Sequence, residues 1–208
     1  MKKRRTFINI LLYLSAWDEL KRRFGSFVTR KKLLAYHVKF NPKKVTLNGL
    51  TYVQIDNNTE VIIGDGFIIN SGVIAGIDNS SGSKIVVTKG ARLNLGKNSG
   101  MTNTIIQCHD SITIGDYVNI GAGCLIMDTN FHSTNWENRL DRKKDVLDAK
   151  TAPVKIGDVC FIGTRSIICK GVTIGDHSMI AAGSVVVKDV PANEIWGGNP
   201  AQFIKSLK

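Results

Sequence analysis

The chain has 208 residues, 43% apolar and only 7% aromatic, which suits one domain with a core of small aliphatic side chains and excludes a low-complexity or disordered chain. Its net charge of +11 sits at one end: residues 1–44 hold thirteen Lys and Arg against two acids, and residues 45–208 are balanced at fifteen each. Four scattered cysteines, Cys108, Cys124, Cys160 and Cys169, with no C-x-x-C pair, argue against a disulfide framework or zinc site and for reduced thiols in the cytoplasm.

The first residues, "MKKRRTFINILLYLSAW", are basic and then apolar, as in a secretory signal. The apolar run is short, carries Asn9 and lacks a small-x-small cleavage site, so a cleaved signal is not expected. It also falls well below the roughly 20 residues of a membrane span. Phe7, Ile10, Leu11, Leu14, Trp17, Leu20, Phe24 and Val28 recur at spacings of three and four, which predicts a helix over 5–36. Residues 1–44 therefore form a basic amphipathic arm. It either caps the domain or, through residues 1–32, lies on an anionic membrane surface such as the inner membrane face. The two roles are compatible if they use different faces.

"VTLNGLTYVQIDNNTE" (45–60) alternates enough to be strands. Further on, the chain repeats every six residues. From Ile156 it reads IGDVCF, IGTRSI, ICKGVT, IGDHSM, IAAGSV, VVKDVP. An aliphatic residue opens each hexad, and a small or medium residue (Cys160, Ser166, Val172, Ser178, Ser184, Val190) stands fifth. The register extends back through Ile126, Ile120 and Ile114 to Ile112 with Cys108 and Ile106 with Thr102, and a fragment recurs at Ile63, Phe67 and Ile69. Six matches neither the helical nor the simple strand period. It does match a short strand plus a turn, three of which close a triangular coil with the first and fifth residues inward. The expected fold is all-β, a parallel β-helix over 45–190, followed by a C-terminal loop and short helix over 191–208.

Between Asp128 and Pro153 the pattern fails, and a 26-residue loop is expected to leave the coils. Loops of that length in compact domains are functional or disordered. Of the four histidines, His37 lies in the basic arm and His109 and His177 fall at turns of the repeat. His132 sits where the coil opens, which makes it the candidate base.

The repeat, and above all residues 152–208 ("APVKIGDVCFIGTRSIICKGVTIGDHSMIAAGSVVVKDVPANEIWGGNPAQFIKSLK"), resembles the hexapeptide-repeat acyltransferases, specifically the maltose, galactoside and xenobiotic O-acetyltransferase branch with its polysaccharide-modifying members. The resemblance covers residues 60–208. It implies a left-handed β-helix, a homotrimer with sites between subunits, and acetyl-CoA as co-substrate with no metal. The acceptor it implies is a small molecule or glycan hydroxyl, not a nucleic acid. It further implies that His132 acts as general base in direct attack, without a covalent acyl-enzyme. Asp128, Asn130 or a backbone carbonyl would orient His132, with Asp128 the first choice. The Thr164 backbone N–H would meet the oxyanion. Phe161, where relatives carry tryptophan, would flank the thiol end. Ala182 would contact pantetheine, Lys188 the adenine end and Lys205 the 3′-phosphate, while Gln202 replaces a basic residue common in relatives. Trp136 and Arg139 would face the acceptor.

Other readings are an N-acetyltransferase of an amino sugar and a non-catalytic β-helix scaffold. A zinc carbonic anhydrase on the same coil would need a histidine five residues after His132, where Glu137 stands.

Overall fold

The computed structural model describes residues 2–72 and 82–207, with side chains from residue 16 onward. The chain is a left-handed parallel β-helix capped by an N-terminal helix, α1 (Lys2–Ala35). Six coils follow. They are built from β1 (Thr46–Asn48), β2 (Tyr52–Ile55) and β3 (Glu60–Ile63); β4 (Ile68–Asn70), β5 (Lys84–Val87) and β6 (Arg92–Leu95); β7 (Gly100–Thr102), β8 (Ile105–Cys108) and β9 (Ser111–Ile114); β10 (Asn119–Ile120), β11 (Leu125–Met127) and β12 (Val154–Ile156); β13 (Phe161–Ile162), β14 (Ile167–Ile168) and β15 (Thr173–Ile174); and β16 (Met179–Ile180) with β17 (Val185–Val186).

The three sides of the triangle are three parallel sheets, ordered β1-β4-β7-β10-β13-β16, β2-β5-β8-β11-β14-β17 and β3-β6-β9-β12-β15. The repeat predicts this stacking. A hexad's fifth residue and the next hexad's first are two apart on one strand, so both face inward. Ile114 pairs with Ile156, and Ile156 with Ile174, one coil above another. All three are fully buried. Each such isoleucine contributes about 1.5–3 kcal/mol relative to leaving it in water.

Corner chemistry holds the coils in register. Asp116, Asp158 and Asp176 lie at one corner in successive coils. The Asp116 N–H donates to the Asp158 carboxylate at 2.8 Å, and the Asp158 N–H donates to Asp176 at 2.9 Å. Tyr117, Val159 and His177, the next residue in each, take left-handed φ of 58°, 58° and 60° to turn the corner. His177 is thus a turn residue, as its place in the repeat predicts.

Two expectations are corrected. The register does not reach Thr102: Met101 is the inward residue there, paired with Ile120, and Thr102 is only half-buried. The side between Met101 and Ile106 is one residue short, and this shifts the pattern. Nor is the C-terminus helical. β18 (Glu194–Gly198) pairs parallel with β16, and β19 (Ala201–Ser206) folds back antiparallel on β18. The last coil leaves an open edge of backbone donors and acceptors. A strand hairpin satisfies it, whereas a helix would leave β18 unpaired.

At the other end α1 closes the stack. Gly25 lies so close that an added Cβ would stand 2.6 Å from Leu50 N. The buried Thr29 hydroxyl donates to Gly25 O at 2.9 Å and accepts from Thr51 N–H at 2.9 Å. Leu33 is fully buried in the core.

Candidate active site

The coil opens after β11, at the corner between the second and third sheets. Its mouth is closed by a short antiparallel contact. Thr129 bridges Thr151, Asn130 N–H donates to Lys150 O at 3.0 Å, and Ala152 N–H donates to Asp128 O at 2.9 Å. Beyond this mouth the loop is ordered. It holds a 3-10 turn (Asn138–Leu140) and a short helix α2 (Arg142–Leu147), whose first turn is capped by Asp141 accepting from the N–H of Lys143 and Lys144.

His132 stands at the start of this loop, its side chain 68% exposed. Phe131 before it takes a left-handed φ of 62° and sets its ring edge-on to His109, centroids 5.6 Å apart. That reversal turns His132 toward α2, where His132 Nδ1 lies 2.6 Å from Asp145 Oδ2. The other oxygen of Asp145 accepts from Ser133 N–H at 2.8 Å. The carboxylate is nearly buried, and its hydrogen bonds to His132 and then to Ser133 N–H hold its pKa below the ordinary value. A carboxylate only accepts, so Nδ1 carries the proton on a neutral ring and Nε2 is left with its lone pair.

Ser133 ties the rest together. Its hydroxyl donates to Asp148, which also accepts from Asn138 Nδ2 and Lys150 Nζ, both at 3.1 Å. Those bonds, led by the Ser133 hydroxyl, lower Asp148 to about 2.

Asp128 does not orient His132. It is fully buried, and its two oxygens accept from the N–H groups of His109 and Asp110 in the coil below, at 2.7 and 2.8 Å. A corner whose backbone donors point inward needs such an acceptor, so Asp128 serves the coil. Asn130 serves the loop mouth through its backbone. The partner is Asp145, which the repeat could not reveal because it lies outside the repeat. A weak signal exists: Asp141, Asp145 and Asp148, spaced four and three apart, form one acidic helical face in a basic stretch.

Arg139 braces the loop, Nη1 donating to Ser133 O at 2.8 Å, while Trp136 is 63% exposed. Thr164 and Ala182 lie at a different corner, between the first and second sheets, in successive coils. Among the described residues neither N–H finds a carbonyl partner. Phe161 lies on the outer face beside that corner, half-exposed, lining a groove of about 190 Å3 with Ile68, Asn119 and Gly121. Phe161, Thr164 and Ala182 thus share one edge of the coils. Lys188 is exposed at the corner from which the His132 loop leaves, two coils beyond, and Lys205 lies on β19 opposite Ile195. Among the described residues no three His, Cys, Asp or Glu side chains gather as a metal set would.

A hexapeptide-repeat left-handed β-helix with a histidine–aspartate pair in an extruded loop is the class that this geometry defines. Residues 153–188 match the family model described as the hexapeptide repeat of succinyl-transferase. The galactoside O-acetyltransferase of Escherichia coli is 33% identical over 120 residues, covering 57% of this chain and 56% of that protein. A putative colanic acid biosynthesis acetyltransferase of the same organism is 33% identical over 93 residues, covering 45% and 49%. The chain therefore spans about half the length of these curated relatives. Among solved structures, a hexapeptide-repeat acetyltransferase from Vibrio cholerae is 28% identical with a TM-score of 0.50, over 76% of this chain and 71% of that one. A polysialic-acid-specific acetyltransferase, 23% identical with a TM-score of 0.59 over 76% and 69%, shares the fold. The chain carries the hexapeptide repeat over residues 153–188 and is similar to acetyltransferases built on this coil.

Proposed function

We propose that this chain is an acetyl-CoA-dependent O-acetyltransferase that acetylates a sugar hydroxyl of a glycan or its precursor. The observation that carries the reading is the 2.6 Å contact of His132 Nδ1 with Asp145, which leaves Nε2 a free base on an exposed ring. The similarity to sugar and polysaccharide acetyltransferases supports the acceptor class. A Vibrio cholerae relative solved with acetyl coenzyme A supports the donor. That donor supplies an activated acyl thioester. The edge bearing Ala182 suits it, because the unpaired Ala182 N–H can take an amide carbonyl of an extended pantetheine arm.

In this mechanism His132 Nε2 takes the proton of the acceptor hydroxyl as its oxygen attacks the thioester carbonyl. Asp145 keeps the proton on Nδ1 and stabilises the imidazolium that forms. Thr164 N–H donates to the developing oxyanion; as it collapses the C–S bond breaks, and the departing coenzyme A thiolate takes the proton from Nε2. Lys188 and Lys205 carry charge for the phosphates, and Trp136 presents an apolar face to the sugar. The His132 loop leaves one corner of the triangle and Thr164 stands at another. Two chains side by side can bring these together, which favours a homotrimer with sites between subunits. The free thiols of Cys108, Cys124 and Cys160, all buried, favour a reducing, cytoplasmic setting.

The test is a screen of sugars, amino sugars and oligosaccharides with acetyl-CoA, reading thiol release. Turnover with a hydroxyl acceptor is expected, falling roughly 10²–10⁴-fold in His132→Ala. Full activity of that variant would overturn the role of His132, and acetylation of an amine alone would replace the O-acetyl reading with an N-acetyl one.

A further inference from the structure

We propose that the outward face of α1 docks on an anionic lipid surface, independently of whether the chain transfers acetyl groups. α1 has two faces. Gly25, Thr29 and Leu33 are buried against the first coil. About 180° around the helix, Trp17, Leu20, Phe24 and Phe27 form a stripe at spacings of three, four and three. They are 50%, 56%, 67% and 56% exposed. A monomer rarely leaves four large apolar side chains aligned in water without a partner.

The charge around the stripe selects the partner. Lys21 Nζ lies 5.7 Å from the Trp17 ring centroid and Lys31 Nζ 5.5 Å from that of Phe27, so cations flank the aromatic rings. Arg23 flanks the other side, held by Glu19 at 2.8 Å. The whole surplus of the chain, +11, lies in residues 1–44. A second copy brought face to face would meet the same surplus of like charge. An anionic bilayer offers both an apolar interior for the stripe and acidic headgroups for its flanks. Among the described residues no helix is long and apolar enough to cross a membrane, so the helix would lie in the surface plane. Lys2, Lys3, Arg4 and Arg5 begin the same helix and add to its positive charge. Because α1 closes the first coil, docking would hold the coil stack with that end against the lipid.

The test is co-sedimentation of the full-length chain with vesicles of phosphatidylcholine alone and with roughly 30% phosphatidylglycerol added. Binding to the anionic vesicles is expected to be at least about tenfold tighter and to weaken at high salt. Substituting Trp17→Ser, Phe24→Ser and Phe27→Ser together should cut vesicle binding about tenfold without moving the thermal midpoint, since these side chains are exposed. Lys21→Glu with Lys31→Glu should do the same through charge. The proposal is overturned if anionic vesicles are not bound, or if the aromatic variant binds them as well as the parent does. It is also overturned if that variant changes the oligomeric state in the absence of lipid, which would mean that another copy covers the face. Tighter binding to duplex DNA than to the vesicles would overturn it too.

Discussion

His132 Nδ1 lies 2.6 Å from Asp145 Oδ2, a contact made between the first residues of the extruded loop and the helix that ends it. Asp145 holds two donors at once, the imidazole N–H and Ser133 N–H. Asparagine has one acceptor oxygen and one donor group, so Asp145→Asn either sets two donors together or turns the imidazole to the tautomer protonated on Nε2, which removes the base. We expect kcat to fall about 10²-fold, near the lower end of what a general base contributes, with KM for acetyl-CoA unchanged. Steady-state kinetics check this. A loss confined to KM would mean that Asp145 shapes a binding surface and does not act through His132.

Asp128 predicts the opposite pattern. It is fully buried and accepts from two backbone N–H groups, so Asp128→Asn turns an amide donor against one of them. An unsatisfied buried group costs about 1–3 kcal/mol. Thermal melts should show that loss, while kcat per folded molecule at low temperature stays close to the parent's. A kcat loss as large as that of Asp145→Asn at unchanged stability would restore Asp128 to the catalytic role expected from its place in the sequence.

The contrast between these two acids shows how far the sequence could be read. The hexads record burial directly: Ile156, Ile162, Ile168, Ile174, Ile180 and Val186 each open one, and all are fully buried. Where sides lengthen the period fades, as between Ile85 and Val87 on one strand and Leu93 and Leu95 on the next, eight residues apart. No hexad was legible in those strands. His132 could be placed because it interrupts a pattern. Its partner could not, because a loop's internal contacts follow from backbone turns such as Phe131, which no periodicity encodes. The terminal hairpin escaped for another reason. "QFIKSLK" suits a helix by itself, and only the open edge of β18 makes it a strand.

The loop should respond to acid before the coils do. Asp145 and Asp148 both have lowered pKa values in the folded chain, Asp148 at about 2. A depressed carboxylate adds stability that is complete above its ordinary value near 4 and is lost as pH falls through the folded value. Amide protection of Ser133 through Asp148 should therefore drop between roughly pH 4 and 2. The coils depend on apolar burial, so Ile126 and Ile156 should keep their protection in that window. Hydrogen exchange, corrected for intrinsic rates, measures both. Simultaneous loss in loop and coil would show that these carboxylates do not govern the loop separately.

Gly163 tests the edge proposed to carry the donor. A Cβ there would stand 2.4 Å from Ala182 N and 2.7 Å from Ala181 C, backbone atoms of the next coil that cannot swing aside. Gly163→Ala must therefore push the fifth and sixth coils apart, at about 1–3 kcal/mol by the usual cost of overpacking. Gly183→Ala is the control. Nothing lies within 4 Å of its Cβ, and its φ of 72° costs only the left-handed penalty, about 1–2 kcal/mol. Thermal melts should rank Gly163→Ala at or below Gly183→Ala in stability. Because the displaced group is the Ala182 N–H, Gly163→Ala should also raise KM for acetyl-CoA several-fold, and Gly183→Ala should raise it less. An unchanged KM in a folded Gly163→Ala variant would show that the donor does not lie along this edge.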